Sequence, residues 1–207
     1  MNYDVVVVAS GKGLRAGLGF NKVFYVMKNG KTVLESACTN FISDDECKKI
    51  VVVTEDEDKV FKNPKVVVTK GGAKRANSVY NGLVKCESEY VMVHDGARPF
   101  INKTDIEKLK EALNDSDGAM LAKKAVDTIK YVKDGYVKET IDRENIYLAL
   151  TPQAFKRDLL TQAYETINVD ELTDDASVFE KLNYKVKVVE GDSSNIKLTN
   201  PEDFKNL

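Results

Sequence analysis

The sequence predicts an α/β fold, a mainly parallel sheet with helices on both faces, and three observations carry that expectation. Short β-branched runs, Val5–Ala9 and Ile50–Val53 among them, alternate with stretches of helical spacing along most of the chain. The runs are apolar without polar alternation, as strands covered on both sides require. Glycine turns follow strand ends, first in "VVVVASGKGLRAGLGFNK" (Val5–Lys22) and again in "GGAKRANSV" (Gly71–Val79).

Taken in order, the strand Val5–Ala9 leads through a long loop to a helix around Val33–Ile42. Ile50–Val53 and Lys65–Val68 are strand-like, and Arg75–Lys85 is helical, with Val79, Gly82 and Leu83 on one face. After the strand Glu89–Val93, Lys103–Asn114 spaces Ile106, Leu109 and Leu113 as an amphipathic helix, capped near Thr104 and Asp105. Gly118–Ala122 returns to strand. The pattern then breaks, from about Val126 to Leu150. Within it, "TIKYVKDGYVKETI" is two alternating runs around Asp134-Gly135, the signal of a tight hairpin. Such a hairpin cannot bury both faces alone, so it is expected to be an arm packing on a second subunit; an edge hairpin of the monomer is the alternative. Helices near Lys156–Thr166 and Asp174–Leu182, the strand Lys185–Val189 and a capped turn opening at Pro201 close the chain. The order describes a Rossmann-like, doubly wound sheet in a single domain, residues 1–207, with a hairpin arm at about 126–150.

Composition excludes several classes. With 43% hydrophobic and 31% charged residues the chain can bury a sizeable core as an ordinary folded, soluble protein. A net charge of −2 without blocks of like charge argues against a nucleic-acid or anionic-membrane surface. No apolar run approaches the roughly 18 residues of a membrane span, and the first residues lack a signal-peptide layout, so a cytoplasmic location is expected. Cys38, Cys47 and Cys86 form no C-x-x-C pair, and His94 is the only histidine, which leaves no zinc site of the usual His/Cys kind.

The first glycine turn carries Lys12, Arg15 and Lys22 and reads as a phosphate grip. Gly11-Lys12-Gly13-Leu14-Arg15-Ala16 satisfies the dinucleotide fingerprint. That motif also needs a helix beginning in the turn and an acid closing a second strand. Gly17, Gly19, Phe20 and Asn21 are poor helix material, and the acid is missing. A Walker A loop fails as well, for want of Gly-Lys-Ser/Thr. What remains is a long loop with two well-placed cations, able to hold phosphate or to stay solvated. Three further stretches favour phosphate. In "GGAKRANSV", Arg75 and the backbone amides could hold a base, and Ser78 a ribose or a carbonyl. "VHDGARPF" places Asp95 just past a strand end, where open α/β sheets bind ligands, and a lone carboxylate there suits Mg²⁺. "SSNIKLTNPEDF" puts Lys197 on a short expected strand between Ile196 and Leu198.

In order and spacing these stretches resemble one family, the 2-C-methyl-D-erythritol 4-phosphate cytidylyltransferases, α/β enzymes that use CTP and Mg²⁺. The resemblance covers nearly the whole chain. It implies that Ala9, Ser10, Gly11 and Gly13 line the CTP phosphates, with Arg15, Lys22 and Lys197 as catalytic cations. It likewise implies Gly72, Ala73, Arg75 and Ser78 around cytidine, Asp95 as metal ligand, and Ala97 and Arg98 beside the nucleotide or sugar phosphate. Asp127 and Thr128 of "AVDTIK", Thr151 of "IDRENIYLALTPQAF" and Thr173 of "LTDDAS" would contact the sugar-alcohol phosphate. Arg143 would reach a neighbouring subunit's substrate in a homodimer. Three positions depart from the family pattern. Ser10 stands for alanine, Gly96 for alanine, and Asn21 for the proline before Lys22. Loss of that proline is expected to loosen the loop. Ribitol 5-phosphate cytidylyltransferases share the nucleotide motifs and are the alternative; a non-catalytic nucleotide-binding protein on this fold is another.

Overall fold

The computed structural model of the chain describes residues 1–11, 13–168, 172–205 and 207. Lys12, the third cation of the first glycine turn, lies outside the described residues. The apolar runs form β1 (Tyr3–Val8), β2 (Cys47–Val53), β3 (Val66–Thr69), β4 (Tyr90–Asp95) and β5 (Gly118–Lys124). The hairpin β6 (Ile129–Lys133) and β7 (Tyr136–Ile141) follows, then β8 (Tyr147–Lys156) and β9 (Val186–Glu190). Among the described residues the α-helices are α1 (Val33–Ile42), α2 (Arg75–Leu83), α3 (Lys103–Ala112), α4 (Arg157–Thr166) and α5 (Ala176–Lys181).

Seven strands make one sheet of order β3-β2-β1-β4-β8-β5-β9. β1 pairs in parallel with β2 and β4, β2 with β3, and β5 with β9. β8 runs antiparallel between β4 and β5 and joins the two parallel halves. Sequence reading assigns no strand there, because Pro152 interrupts the run and a central strand rarely tolerates proline. The ladder resolves the conflict with a bulge: Met120 pairs with Gln153 and Ala122 with Ala149, so Pro152 falls in the skipped stretch. Two smaller expectations also need correction. The α3 cap is Asn102, whose side chain accepts from Asp105 N at 2.8 Å, rather than Thr104 or Asp105. Lys197 lies on irregular backbone and not on a strand. Its segment is tied down by Leu198 N donating to Ala97 O at 2.9 Å, too little for a ladder.

Alternation along β1 sends Val5 and Val7 to one face and Val6 to the other. The first face packs with Leu34 and Phe41 of α1 and Ile106 and Leu109 of α3. The second packs with Val79 and Leu83 of α2, Leu160 of α4 and Phe179 of α5. Chain order reverses between β1 and β4, whose carboxyl ends lie side by side, with Val8 opposite Asp95. That reversal leaves a crevice above the strand ends, the usual ligand position in such sheets.

The hairpin stands apart as its own two-stranded sheet. Asp134 and Gly135 both have positive φ, 54° and 79°, as a two-residue turn matched to strand twist demands. Tyr131, Tyr136 and Val137 on it are more than half exposed.

Candidate active site

The crevice opens into a cavity of about 620 Å³ built from four separate stretches. The β1 end supplies Ala9, Ser10, Gly11 and Gly13, and the turn beyond it Arg15 and Lys22. The second glycine turn supplies Gly72, Ala73, Arg75 and Ser78. Asp95 and Ala97 come from the β4 end, and Lys197 from the C-terminal segment. A smaller cavity of about 260 Å³ adjoins it and shares Arg75, Asp95 and Lys197. Arg98, Thr151 and Thr173 line that second space. Asp127, Thr128 and Arg143 reach neither cavity. Asp127 lines a separate hollow near the hairpin root, Thr128 is exposed, and the exposed Arg143 donates to Val126 O.

Backbone conformation explains the glycines of the first loop. Gly13, Gly17 and Gly19 hold φ values of 65°, 66° and 74°, which side chains beyond glycine rarely adopt. The second turn needs glycine for closeness: a Cβ on Gly72 would lie 2.4 Å from Asn77 Cβ, and one on Gly71 2.7 Å from Ser10 Cβ. The two turns are thus nested. The Ser10 and Ser78 hydroxyls lie 3.1 Å apart, and Ser78 Oγ accepts from Gly72 N at 3.0 Å. Ser10 therefore adds a cross-link that an alanine could not make.

Asn21 changes the expectation for the loop. Its side-chain amide donates to Ala9 O at 2.7 Å, and its Oδ1 accepts from Val23 N, capping the single turn that begins at Lys22. The loop is pinned by a side chain rather than loosened by the missing proline.

Charge is concentrated at Asp95, which is nearly buried. Lys197 Nζ lies 2.9 Å from its Oδ2 and Arg98 Nε 3.4 Å, while Arg75 Nε stands 3.7 Å from Oδ1. Burial alone would push this carboxyl up. Arg75, Lys197 and Arg98 more than reverse that, holding it well below the ordinary carboxylate range. Burial pushes the Lys22 ammonium down, and repulsion from Lys197 and Arg15 adds to it. The cavity is a cationic hollow suited to a polyanion.

A fully buried histidine supports the turn. His94 Nε2 donates to Arg98 O at 3.1 Å and Nδ1 accepts from the Thr151 hydroxyl at 3.2 Å. Thr151 Oγ1 in turn accepts from Asp95 N at 3.0 Å. Burial pushes the imidazole down to about 4, so it is neutral near pH 7.

Asp95 is the one carboxylate lining the larger cavity among the described residues, and no cluster of three or more acidic, histidine or cysteine ligands occurs among them. Its Oδ1 has Arg75 Nε beyond hydrogen-bond reach at 3.7 Å. Among the described residues no hydrogen-bond donor meets that oxygen, which leaves it to a divalent cation taking its remaining ligands from phosphate and water, and that fits Mg²⁺.

Three residues of this site escape sequence reading. Asn195 receives Arg98 Nη1 on its carbonyl at 2.8 Å and donates to Thr151 O at 2.9 Å. Asp175 grips Arg75 at 2.7 and 3.1 Å. Gln153 accepts from Asp175 N and Ala176 N at 3.1 and 2.8 Å. Only the adjacency of Asn195 to Lys197, and of Asp175 to Thr173, could have drawn attention to the first two.

Comparison with known proteins places this arrangement. The family model for IspD, 2-C-methyl-D-erythritol 4-phosphate cytidylyltransferase, matches residues 3–206. The enzyme of that name from Geobacillus kaustophilus is 38% identical over 99% of this chain and 94% of its own length. The Bacillus velezensis one is 40% identical over 99% and 93%. The crystal structure of Francisella tularensis 2-C-methyl-D-erythritol 4-phosphate cytidylyltransferase superposes with a TM-score of 0.87 at 33% identity, covering 99% of this chain and 97% of that one. The bifunctional IspDF of Campylobacter jejuni matches with a TM-score of 0.87 and 32% identity, over 100% of this chain and 54% of that longer one. With motifs, fold and full-length similarity in agreement, the chain belongs to the 2-C-methyl-D-erythritol 4-phosphate cytidylyltransferase family.

Proposed function

We propose that this protein transfers the cytidylyl group of CTP to 2-C-methyl-D-erythritol 4-phosphate, releasing pyrophosphate and forming 4-diphosphocytidyl-2-C-methyl-D-erythritol for isoprenoid precursor synthesis by the non-mevalonate route. The observation that carries this reading is the pair of adjoining cavities sharing Arg75, Asp95 and Lys197. A reaction between two anions needs two neighbouring anion sites with cations at the junction.

CTP occupies the larger cavity, its phosphates along Ala9–Gly13 and its cytidine toward Gly72, Ala73, Arg75 and Ser78. The sugar phosphate occupies the smaller one, beside Arg98, Thr151 and Thr173. A phosphate oxygen of the acceptor attacks the α-phosphorus, and the bond to the pyrophosphate oxygen breaks. No general base is required, because that oxygen is already ionised near pH 7. Arg15, Lys22 and Lys197 stabilise the charge that spreads over the reacting phosphoryl group and the departing pyrophosphate. Mg²⁺, held by Asp95, supplies further charge neutralisation when bound.

The protein acts in the cytoplasm as a homodimer. The exposed hairpin with Tyr131, Tyr136 and Val137, and the placing of Asp127, Thr128 and Arg143 outside their own cavities, support a partner subunit that receives them. Among the described residues no helix is long and apolar enough to cross a membrane, and Cys38, Cys47 and Cys86 are buried free thiols.

The test is pyrophosphate release from CTP and Mg²⁺ with methylerythritol 4-phosphate or with ribitol 5-phosphate as acceptor. Rapid release with the first alone is expected. Release only with ribitol 5-phosphate would reassign the acceptor, and release with neither would mark a nucleotide-binding protein without this activity.

A further inference from the structure

Asp175 is a fully buried carboxylate with no part in the chemistry above. It occupies the N-cap position of α5, yet its side chain caps nothing. Gln153 and Asp174 do that work instead, Gln153 Oε1 accepting from the Asp175 and Ala176 amides at 3.1 and 2.8 Å and Asp174 Oδ1 from the Ser177 amide at 3.1 Å. Freed from capping, the carboxylate turns to Arg75. Nη1 donates to Oδ1 at 3.1 Å and Nη2 to Oδ2 at 2.7 Å, a two-bond fork. The buried Tyr164 hydroxyl donates to Oδ1 at 2.5 Å.

Arg75 opens α2 and lines both cavities. Two carboxylates therefore compete for one guanidinium, and the distances name the winner. Asp175 holds Arg75 in hydrogen-bond contact, while Asp95 faces its Nε across 3.7 Å. Without the Asp175 charge, Asp95 is the carboxylate left facing Arg75, and the guanidinium would close the 3.7 Å gap onto Oδ1, so that its donors are spent on the cavity wall instead of the nucleotide.

We infer that Asp175 is a positioning residue, which anchors Arg75 at the junction of the two cavities in the orientation that receives the nucleotide and keeps it off Asp95. This rests on the larger cavity being the CTP site. A role confined to stabilising α5 makes a different forecast, because it would not act through Arg75.

A double-mutant cycle on the full chain, read by calorimetric titration with CTP, separates the two. Asp175→Asn keeps the side-chain shape and is expected to weaken CTP binding about tenfold, the scale of a hydrogen bond to a charged group, with a matching rise in KM for CTP and little change in kcat. Arg75→Gln should weaken binding as much. Asp175→Asn added to Arg75→Gln should then change the affinity less than about twofold, because the intermediary is gone. Arg75→Lys retains the charge but not the fork, and should resemble Arg75→Gln; this variant decides the matter if Asp175→Asn does not fold. Additive losses, a lowered melting temperature with unchanged CTP affinity in Asp175→Asn, or wild-type CTP binding in Arg75→Lys would each overturn the inference. A wild-type protein that binds no CTP would instead sink the reading beneath it, and the inference with it.

Discussion

The side-chain amide of Asn21 is hydrogen-bonded to the carbonyl of Ala9 at 2.7 Å, closing the glycine-rich loop at its base and setting the turn on which Lys22 sits. The strand end cannot shift, because Ala9 N is itself bonded to Val53 O at 2.9 Å. Asn21 therefore ties the far end of the loop to a fixed strand end. Asn21→Ala should weaken CTP binding about fivefold, near 1 kcal/mol for a lost cap and hydrogen bond, and should speed protease cleavage in the loop. Asn21→Pro suits the φ of −65° but lacks the amide, so its effects should be smaller. Unchanged cleavage and affinity in Asn21→Ala would show that the bond does not hold the loop.

Lys22 should matter to the chemical step more than to binding. Lys22→Ala removes one charge from a group that stabilises the transition state, and kcat should fall about 10²–10³-fold by analogy with oxyanion-hole donors. The pH profile gives a second check. Burial and the neighbouring Lys197 and Arg15 lower the affinity of Lys22 for its proton. Activity needs the ammonium form, so it should decline as pH rises through this lowered value. A bound triphosphate restores the proton affinity, so kcat should hold to higher pH than kcat/KM. Coincident alkaline limbs, or turnover intact in Lys22→Ala, would remove Lys22 from the mechanism.

Much of this site is visible in the sequence because its motifs are local. Gly11–Lys22, Gly71–Ser78 and His94–Arg98 each join a strand end to a turn, and each signals itself through glycine, charge and flanking apolar residues. The first and third meet because β1 and β4 are neighbours, and the second joins them because α2 runs back from β3 to pack on Val6 of β1. The contacts that hold them are different in kind. Gln153 lies on β8, which Pro152 hides from pattern reading, and its partner Asp175 is 22 residues further along. Asn195 and Asp175 matter because they are buried and paired, and neither property can be read from residue type or spacing. Asp127, Thr128 and Arg143 form a third case: they line neither cavity of their own chain, and their motifs carry no signal of that.

His94 makes folding sensitive to acid. Its imidazole is neutral and buried between Thr151 and Arg98 O, with its pKa pushed down from 6.5 to about 4. The folded state thus binds this proton more weakly than the unfolded chain does. The contribution to stability is complete above about 6.5 and is lost as pH falls toward 4, at roughly 1.4 kcal/mol for each pH unit. Urea unfolding followed from pH 7.5 to pH 4 should show the midpoint dropping across that window. His94→Gln does not titrate there, and should start less stable but lose less on acidification. An equal slope in both proteins would place the acid sensitivity elsewhere.

The hairpin sets the last expectation. A two-stranded ribbon with exposed Tyr131, Tyr136 and Val137 has little to stabilise it alone, and Arg143 lies just past its second strand. In the proposed homodimer each site would combine Lys22 of one subunit with Arg143 of the other. Tyr136→Lys with Val137→Lys should then shift sedimentation from dimer to monomer. Arg143→Ala should leave the dimer intact and raise KM for the sugar phosphate about tenfold, the cost of a charged phosphate contact. Mixing matters most. When Lys22→Ala and Arg143→Ala chains are refolded together, half the dimers are hybrid, and in each hybrid one of the two sites has both residues intact. Activity at low sugar phosphate should recover to about a quarter of wild type, as two-fold symmetry requires. Activity that stays at the mean of the two parent variants would mean that Arg143 serves its own subunit.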